Sequence, residues 1–194
     1  SDGISMNTNA RGGIMKGFGR MFSGESFFMT TYRAERDEAF IGFSSTVPGE
    51  ILPVEMNGYA SLICQKGTFL CAEESVSTKV AFTKKLSAGL FGGEGFILQK
   101  VSGNGIVFAE FDGHVVEYEL QPGQQIVIDS GYLAAMSVTC QMDIQTVPGL
   151  KNIVFGGEGL FNTVITGPGH VWLQTMPISS VADSLRPYFP TSSK

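Results

Sequence analysis

The strongest constraint in this chain is a five-residue motif that occurs twice. Phe-Gly-Gly-Glu-Gly stands at residues 91–95 and again at residues 155–159, a spacing of 64 residues. The register holds without a gap when residues 48–111 are aligned with residues 112–175, and most of the identical positions are glycines. Shared glycines indicate a shared backbone path, because glycine adopts positive φ without steric cost while strand side chains vary among apolar types. The chain therefore carries an internal duplication.

A weaker third copy of the motif reads Phe-Ser-Gly-Glu-Ser at residues 22–26. From the start of this copy to the start of the next unit there are five residues more than from the motif at Phe91 to the unit that begins at Asp112. We assign these five extra residues to the charged stretch 32–38. The sequence thus predicts a single domain over residues 1–194 that contains three units. We place repeat 1 at residues 1–47, repeat 2 at 48–111, repeat 3 at 112–175, and a helix with a tail at 176–194. The register also predicts that the visible chain starts inside repeat 1, which is then N-terminally incomplete.

Short runs of alternating apolar and polar residues, separated by glycine and proline turns, predict β-strands through most of the chain. We predict strands at residues 27–31, 39–46, 51–56, 61–65, 68–72, 76–82, 96–101, 106–111, 115–120, 125–129, 132–147, 150–155, 160–166 and 171–176. Only residues 178–185 have a helical pattern, with a serine pair as N-cap and Pro187 and Pro190 beyond the end. The predicted fold class is all-β, with three β repeats of sandwich or double-stranded β-helix type around a pseudo-threefold axis and a short C-terminal helix.

Charge and cysteine content limit the kinds of partner and the cellular compartment that we expect. The net charge is −5 with 13 basic residues, and no basic cluster is tighter than Lys84-Lys85, so we expect no nucleic acid partner. Charged residues form only 16% of the chain, which is typical of a surface partly buried against another subunit, and we expect a homo-oligomer. Three cysteines without a paired spacing favour a reducing compartment, and we expect a cytoplasmic protein. Cys64 and Cys140 lie in apolar runs and are predicted to be buried.

The motif glutamates Glu25, Glu94 and Glu158 are the first candidates for a functional site. A symmetric arrangement of the repeats would bring the three carboxylates to related positions, where they could share an ion or a ligand. A carboxylate between glycines can also accept hydrogen bonds from the N–H groups of its own turn and stabilise a bend without any ligand. We interpret these glutamates as structural acceptors. We assign no catalytic, cofactor-binding or metal-binding residue.

Histidine placement bears on the possibility of a metal-dependent barrel enzyme, which needs clustered histidines and a carboxylate. His114 and His170 occupy different points of the repeat, and each follows a glycine in a predicted turn, so we expect both to be exposed. The sequence has no Gly-x-Ser-x-Gly elbow and no Gly-rich phosphate motif that follows a strand and opens a helix. Trp172 aligns with Phe108 and has apolar flanks, which favours a core or interface position over stacking with RNA.

The glycine-punctuated stretch 12–23 has two interpretations. Its apolar residues, with Lys16 and Arg20, fit a short membrane-surface helix. Each interspersed glycine weakens a helix by up to about 1 kcal/mol relative to alanine. We therefore favour a loop that packs over one end of the β structure.

Several segments together resemble a known family. They are FGGEGF at 91–96, SGNG at 102–105, FGGEG at 155–159 and TGPGHVWLQT at 166–175, with GESFF near the start and SLRPYFP near the end. These segments are similar to bacterial relatives of the altered-inheritance-of-mitochondria family, formerly a domain of unknown function. The resemblance implies three repeats per chain, each like one subunit of the tryptophan RNA-binding attenuation protein. The RNA-binding role of that protein does not carry over, since its repeated ring of basic residues has no counterpart here.

The resemblance implies a link to membrane organisation and little about activity. We expect a non-enzymatic binding or scaffolding protein without a cofactor, which self-associates and contacts a protein partner or, peripherally, a membrane. Two alternatives stay open. A small-molecule carrier would show a thermal shift with indole-like or lipid ligands. A metal-dependent β-barrel enzyme would need His114 and His170 to meet a carboxylate at one ion.

The structural interpretation of the motif predicts a ranked loss of stability. Glu94→Ala removes a buried acceptor, so unsatisfied donors should lower the free energy of unfolding by about 1–3 kcal/mol. Glu94→Gln keeps one acceptor oxygen and should cost less. Thermal melting with and without a co-purifying ligand measures both effects. Wild-type melting of both variants, together with loss of ligand or partner binding, would make the glutamates a functional site.

Overall fold

The computed structural model describes residues 3–10, 28–58, 61–84, 96–146 and 161–189. The chain forms two compact units, Ser1–Ser44 and Ser45–Lys194. The described residues are mostly antiparallel β-strands and include one short C-terminal α-helix, so the predicted all-β class is confirmed. The single domain and the three repeats around a pseudo-threefold axis stay predictions.

The elements that the structure describes are numbered in chain order. The strands are β1 (Ile4–Ala10), β2 (Phe28–Ala34), β3 (Gly49–Glu55), β4 (Leu62–Gln65), β5 (Phe69–Ala72), β6 (Ser77–Lys84), β7 (Phe96–Ser102), β8 (Ile106–Asp112), β9 (Val115–Leu120), β10 (Gln125–Asp129), β11 (Leu133–Ser137), β12 (Gln141–Thr146), β13 (Phe161–Thr166) and β14 (Gly169–Gln174). The helix is α1 (Ile178–Leu185). Single 3₁₀ turns follow β3, β4, β10 and α1.

The first unit contains a two-stranded antiparallel sheet of β1 and β2, in which the hydroxyls of Thr8 and Thr30 lie 3.1 Å apart. The sequence pattern missed β1, because its residues are mainly polar. The strand predicted at residues 39–46 is wrong, since this stretch has no strand. Its aromatic residues gave the strand signal, but the Phe43 ring instead contacts Tyr32 edge to face at 5.5 Å.

In the part of the second unit that the structure describes, the strands form three antiparallel sheets. One has the strand order β3-β8-β5, the second has the order β6-β7-β4-β11-β14-β9, and the third has the order β10-β13-β12. The six-stranded sheet joins two three-stranded halves through the pairing of β4 with β11. One half comes from residues 48–111 and the other from residues 112–175.

The strand pairings of residues 48–111 recur 64 positions later. Leu62 pairs with Val101 as Ile126 pairs with Ile165. The β-bulge between Phe69 and Cys71 has its counterpart between Leu133 and Ala135. The two segments therefore share strand order, register and one irregularity, which is the backbone equivalence that the aligned glycines predict.

Two of the aligned glycines show why that residue is repeated. Gly105 has φ +124° and Gly169 has φ +142°, values that side-chain-bearing residues rarely adopt. A Cβ atom at Gly169 would lie 2.8 Å from the Cys140 sulfur. Both the dihedral angle and the close approach thus require glycine at the first residue of β14.

One further strand prediction is wrong, and another lies outside the described residues. The run predicted at residues 132–147 is divided into β11 and β12 by a turn, in which the N–H of Cys140 donates to the carbonyl of Ser137. Alternation continues across this turn, so periodicity alone does not reveal it. The strand predicted at residues 150–155 lies outside the described ranges.

The core of the second unit lies on both faces of the six-stranded sheet. Neighbouring residues divide between two clusters: Ala135 and Trp172 belong to the cluster with β8, and Met136 and Val171 belong to the cluster with β13. Successive strand residues point to opposite faces, so the two three-stranded sheets cover opposite sides of the central sheet. Both faces of the central sheet are apolar for this reason.

Helix α1 has the predicted bounds but a different cap. Ser179 and Ser180 lie inside the first turn, and Pro177 holds the N-cap position without a side-chain bond. The N–H of Ile178 instead donates to the carboxylate of Asp112, at the end of β8, over 2.8 Å. Asp112 thus anchors the C-terminal helix to the β8–β9 turn, and its negative charge suits a helix N-terminus.

The cap predicts a loss of stability on mutation of Asp112. Asp112→Ala should lower the free energy of unfolding by about 0.5–2 kcal/mol, the usual effect of deleting an N-cap side chain. Asp112→Asn keeps an acceptor oxygen and should cost less. Denaturant unfolding gives the comparison, with Asp183→Ala in the exposed part of α1 as the matched control. Equal stability of Asp112→Ala and the control would contradict the capping role.

Candidate functional site

A small apolar cavity lies beneath the sheet β3-β8-β5, on the side that faces the six-stranded sheet. Its volume is about 30 Å³, and its lining includes Leu52, Phe69, Val107, Ala135 and Trp172. The hydroxyl of Thr68, the one alcohol in the lining, donates to the carbonyl of Ala134 over 3.2 Å. A water molecule needs two or more polar partners, so this lining favours a small apolar group.

Trp172 forms one wall of this cavity and is 9% exposed, which confirms its predicted core position. Its ring stacks on His170, with centroids 5.7 Å apart and planes 18° from parallel. The sequence predicts a turn at His170, but this residue lies within strand β14. About a third of its side chain is exposed. Its Nδ1 atom lies 2.7 Å from the Glu117 carboxylate on β9.

His114 forms a separate pair with a different carboxylate. Its side chain is exposed, as predicted, and its Nδ1 atom lies 2.5 Å from Glu50 Oε1. The hydrogen bond from His114 lowers the pKa of the Glu50 carboxyl, and a bond from the Val115 N–H acts in the same direction against partial desolvation. Neither His–Glu pair was visible in the sequence. The antiparallel pairing of β14 with β9 brings His170 to Glu117, and a parallel bridge between Gly49 and Gly113 brings His114 to Glu50.

The two histidines are thus engaged by separate carboxylates. Within the described ranges, no group of three or more histidine, cysteine, aspartate or glutamate side chains is placed to hold a metal ion. The motif residues Glu25, Glu94 and Glu158 lie outside the described residues, and their structural role stays a prediction.

The cysteines are free thiols in apolar surroundings. Cys64 and Cys140 are buried, as predicted, and Cys71 is partly buried. Burial raises the pKa of Cys64 to about 12, against a weaker opposite effect of a hydrogen bond with Gln99. Burial also raises the pKa values of Cys71 and Cys140. A high pKa disfavours the reactive thiolate, so these thiols act as small apolar side chains.

A buried acceptor that the sequence did not reveal lies on β8. The Oε2 atom of Glu110 is buried and has no hydrogen-bond partner among the described residues. The equivalent side chain 64 positions later, Gln174, accepts from the Asp112 N–H over 3.2 Å and donates to the Gly131 carbonyl over 3.1 Å. Aligned positions in the two segments therefore differ in hydrogen bonding.

A group of exposed apolar side chains lies at the C-terminal end of the described chain. We call it the C-terminal apolar surface, and its residues are Met176, Ile178, Leu185, Tyr188 and Phe189. Tyr188 and Phe189 are 83% and 66% exposed. Besides the Asp112 cap, the N–H of Met176 donates to the Asp112 carbonyl over 3.0 Å, which holds the start of this segment on the β8–β9 turn.

The fold places this chain among all-β proteins whose antiparallel sheets stack in layers. Its residues 1–176 match the mitochondrial biogenesis AIM24 family, and the chain belongs to that family. An uncharacterized protein of Streptococcus pyogenes serotype M6 is 29% identical over 201 residues, which span all of this chain and 79% of the relative. The crystal structure of a Streptococcus pyogenes protein superposes with a TM-score of 0.75 at 25% identity, over 97% of this chain and 84% of that one.

In the part of the chain that the structure describes, no helix is long and apolar enough to cross a membrane.

The burial of the thiols predicts their order of alkylation. At pH 8 a thiol with a pKa of about 12 is ionised in about one molecule in ten thousand, so iodoacetamide should modify Cys64 far more slowly than the partly buried Cys71. Because the pKa is raised, the rate at Cys64 should keep increasing as the pH rises from 8 to 10. Peptide mass spectrometry resolves the sites, and denatured protein serves as the control in which all three react. Equal rates at Cys64 and Cys71 in the native protein would contradict the assignment.

Proposed function

We propose that the protein is a non-enzymatic binding or scaffolding module that self-associates and holds a protein partner through its C-terminal apolar surface. The exposure of Tyr188 and Phe189 on an anchored segment is the observation that carries this proposal. Aromatic side chains bury large areas at interfaces and are enriched among the residues that dominate binding energy. Anchoring of the segment by Asp112 reduces the entropy lost when a partner binds.

The family supports a module of this kind without specifying its partner. Membership of the mitochondrial biogenesis AIM24 family fits a role connected with membrane organisation, and a peripheral membrane contact is the alternative occupant of the same surface. We place the module in the cytoplasm, because three free cysteines suit a reducing compartment.

A small-molecule carrier is the second candidate, and the apolar cavity beside Trp172 favours it. Its volume of about 30 Å³ accommodates only a methyl-sized group, so an indole or a lipid chain would require the surrounding sheets to separate. A thermal shift with indole tests this alternative. The metal-dependent enzyme has no comparable support, since the two histidines pair with different glutamates.

The C-terminal apolar surface gives a direct test of partner binding. Tyr188→Ser combined with Phe189→Ser should abolish the co-purification of a specific partner from the source cell and leave the melting temperature unchanged, because both side chains are exposed. Quantitative mass spectrometry measures the captured proteins. Phe40→Ser removes another exposed aromatic side chain and is the matched control.

A protein that is lost with the double variant and retained with the control supports the proposal. Flotation with anionic vesicles that depends on the same two residues would show that this surface binds a membrane and not a protein partner. Equal capture by wild type and the double variant would overturn the role of this surface.

A further inference from the structure

Equivalent positions of three successive chain segments meet at the β8–β9 turn. Counted in steps of 64 residues, the ranges 48–50, 112–114 and 176–178 are equivalent. The first range includes the start of β3, the second is the turn itself, and the third ends on the first residue of α1. We call this contact the three-segment junction, and the turn is its centre.

The start of β3 binds one side of the turn. The N–H of Gly113 donates to the carbonyl of Pro48 over 3.1 Å. The Glu50 carboxylate lies 2.5 Å from His114 Nδ1, and its second oxygen accepts from the Val115 N–H over 3.4 Å. Main-chain and side-chain groups of this segment therefore both fix the turn.

The C-terminal segment binds the other side of the same turn. The N–H of Thr175 donates to the carbonyl of His114 over 3.0 Å, and the His114 N–H donates to the Thr175 hydroxyl over 2.8 Å. The N–H groups of Met176 and Ile178 donate to the carbonyl and the carboxylate of Asp112, respectively. Four hydrogen bonds thus join the C-terminal segment to two residues of the turn.

Packing at Gly113 makes this attachment tight. A Cβ atom at Gly113 would lie 2.7 Å from the hydroxyl oxygen of Thr175 and 2.9 Å from Cβ of Met176. Pro177 is buried, whereas no residue of the following helix α1 is buried. The C-terminal segment is therefore held at its start, and a shift of the turn displaces it.

From these contacts we infer that residues 175–189 are a strap whose closure is coupled, through the turn, to the binding of the start of β3. His114 links the two sides directly, because its side chain binds Glu50 while its main chain binds Thr175. Two segments that bind one shared element change each other's affinity by the same factor. The inference deepens the proposed function and rests on it, since the strap carries the C-terminal apolar surface.

The strap gives the C-terminal apolar surface a connection to the point where the chain enters the second unit. The first unit ends at Ser44, shortly before Pro48 in the chain. A partner that draws α1 away from the turn loosens the contact at Pro48 and Glu50. Conversely, a pull on the chain at Ser45 loosens the strap and changes how the surface is presented.

The test changes one side of the junction in the full chain and measures the other side by amide hydrogen exchange, resolved by NMR. Glu50→Ala removes the carboxylate and leaves the strap residues intact, and the amides of Thr175 and Met176 should then exchange at least about fivefold faster. Thr175→Val is the reciprocal variant, because it removes the hydroxyl that binds His114. It should accelerate the exchange of the Gly113 amide, whose hydrogen bond is to Pro48.

Glu117→Ala is the matched control, since it breaks the other His–Glu pair and should leave exchange at the junction unchanged. The amides of β4 and β11 report opening of the whole second unit. Equal acceleration there would show a general loss of stability and would overturn the coupling, as would unchanged exchange at Met176 in Glu50→Ala. Partner capture through Tyr188 and Phe189 is measured separately, so a failure of the coupling and a failure of the proposed function are distinguishable.

Discussion

The architecture of the second unit depends on the pairing of β4 with β11. Three residue pairs join two three-stranded sheets into one sheet of six strands, whose two faces then have to be covered. The side chains of Ala135 and Met136 point to opposite sides, so each face has its own apolar cluster. The sheets β3-β8-β5 and β10-β13-β12 supply the two covers. This short backbone contact therefore determines the stacking of the six-stranded sheet between its two covering sheets.

Duplication explains how one segment can supply both the central sheet and a cover. Each segment folds into two three-stranded sheets of the same order and register, and it gives one of them to the central sheet and the other to a flanking layer. Side chains at equivalent positions have diverged because their environments differ. Trp172 is enclosed by the neighbouring segment, while Phe108 remains partly exposed. The backbone path is shared between the two segments, and the side chains on their surfaces are not.

The C-terminal segment is attached to this framework by polar contacts and not by a buried face. Asp112 accepts the N–H of Ile178 through its side chain and the N–H of Met176 through its carbonyl. No residue of α1 is buried. An amphipathic helix held in place by its first turn leaves its apolar side chains exposed, which is what the proposed binding function requires.

The sequence by itself determined the all-β class, most strands of residues 48–146, the bounds of α1 and the burial of Trp172. These features follow from local alternation, turn residues and the register of the repeated glycines, all of which a single chain displays. Strand β1 was missed because its residues are mainly polar, and residues 39–46 were misassigned because exposed aromatic residues imitate a strand pattern.

Only the tertiary structure decided which strands meet. Sequence spacing does not reveal that β4 joins β11, that Asp112 caps α1, or that His114 and His170 pair with Glu50 and Glu117. Each of these contacts links residues more than fifty positions apart, and such contacts depend on how sheets stack, which local periodicity does not encode.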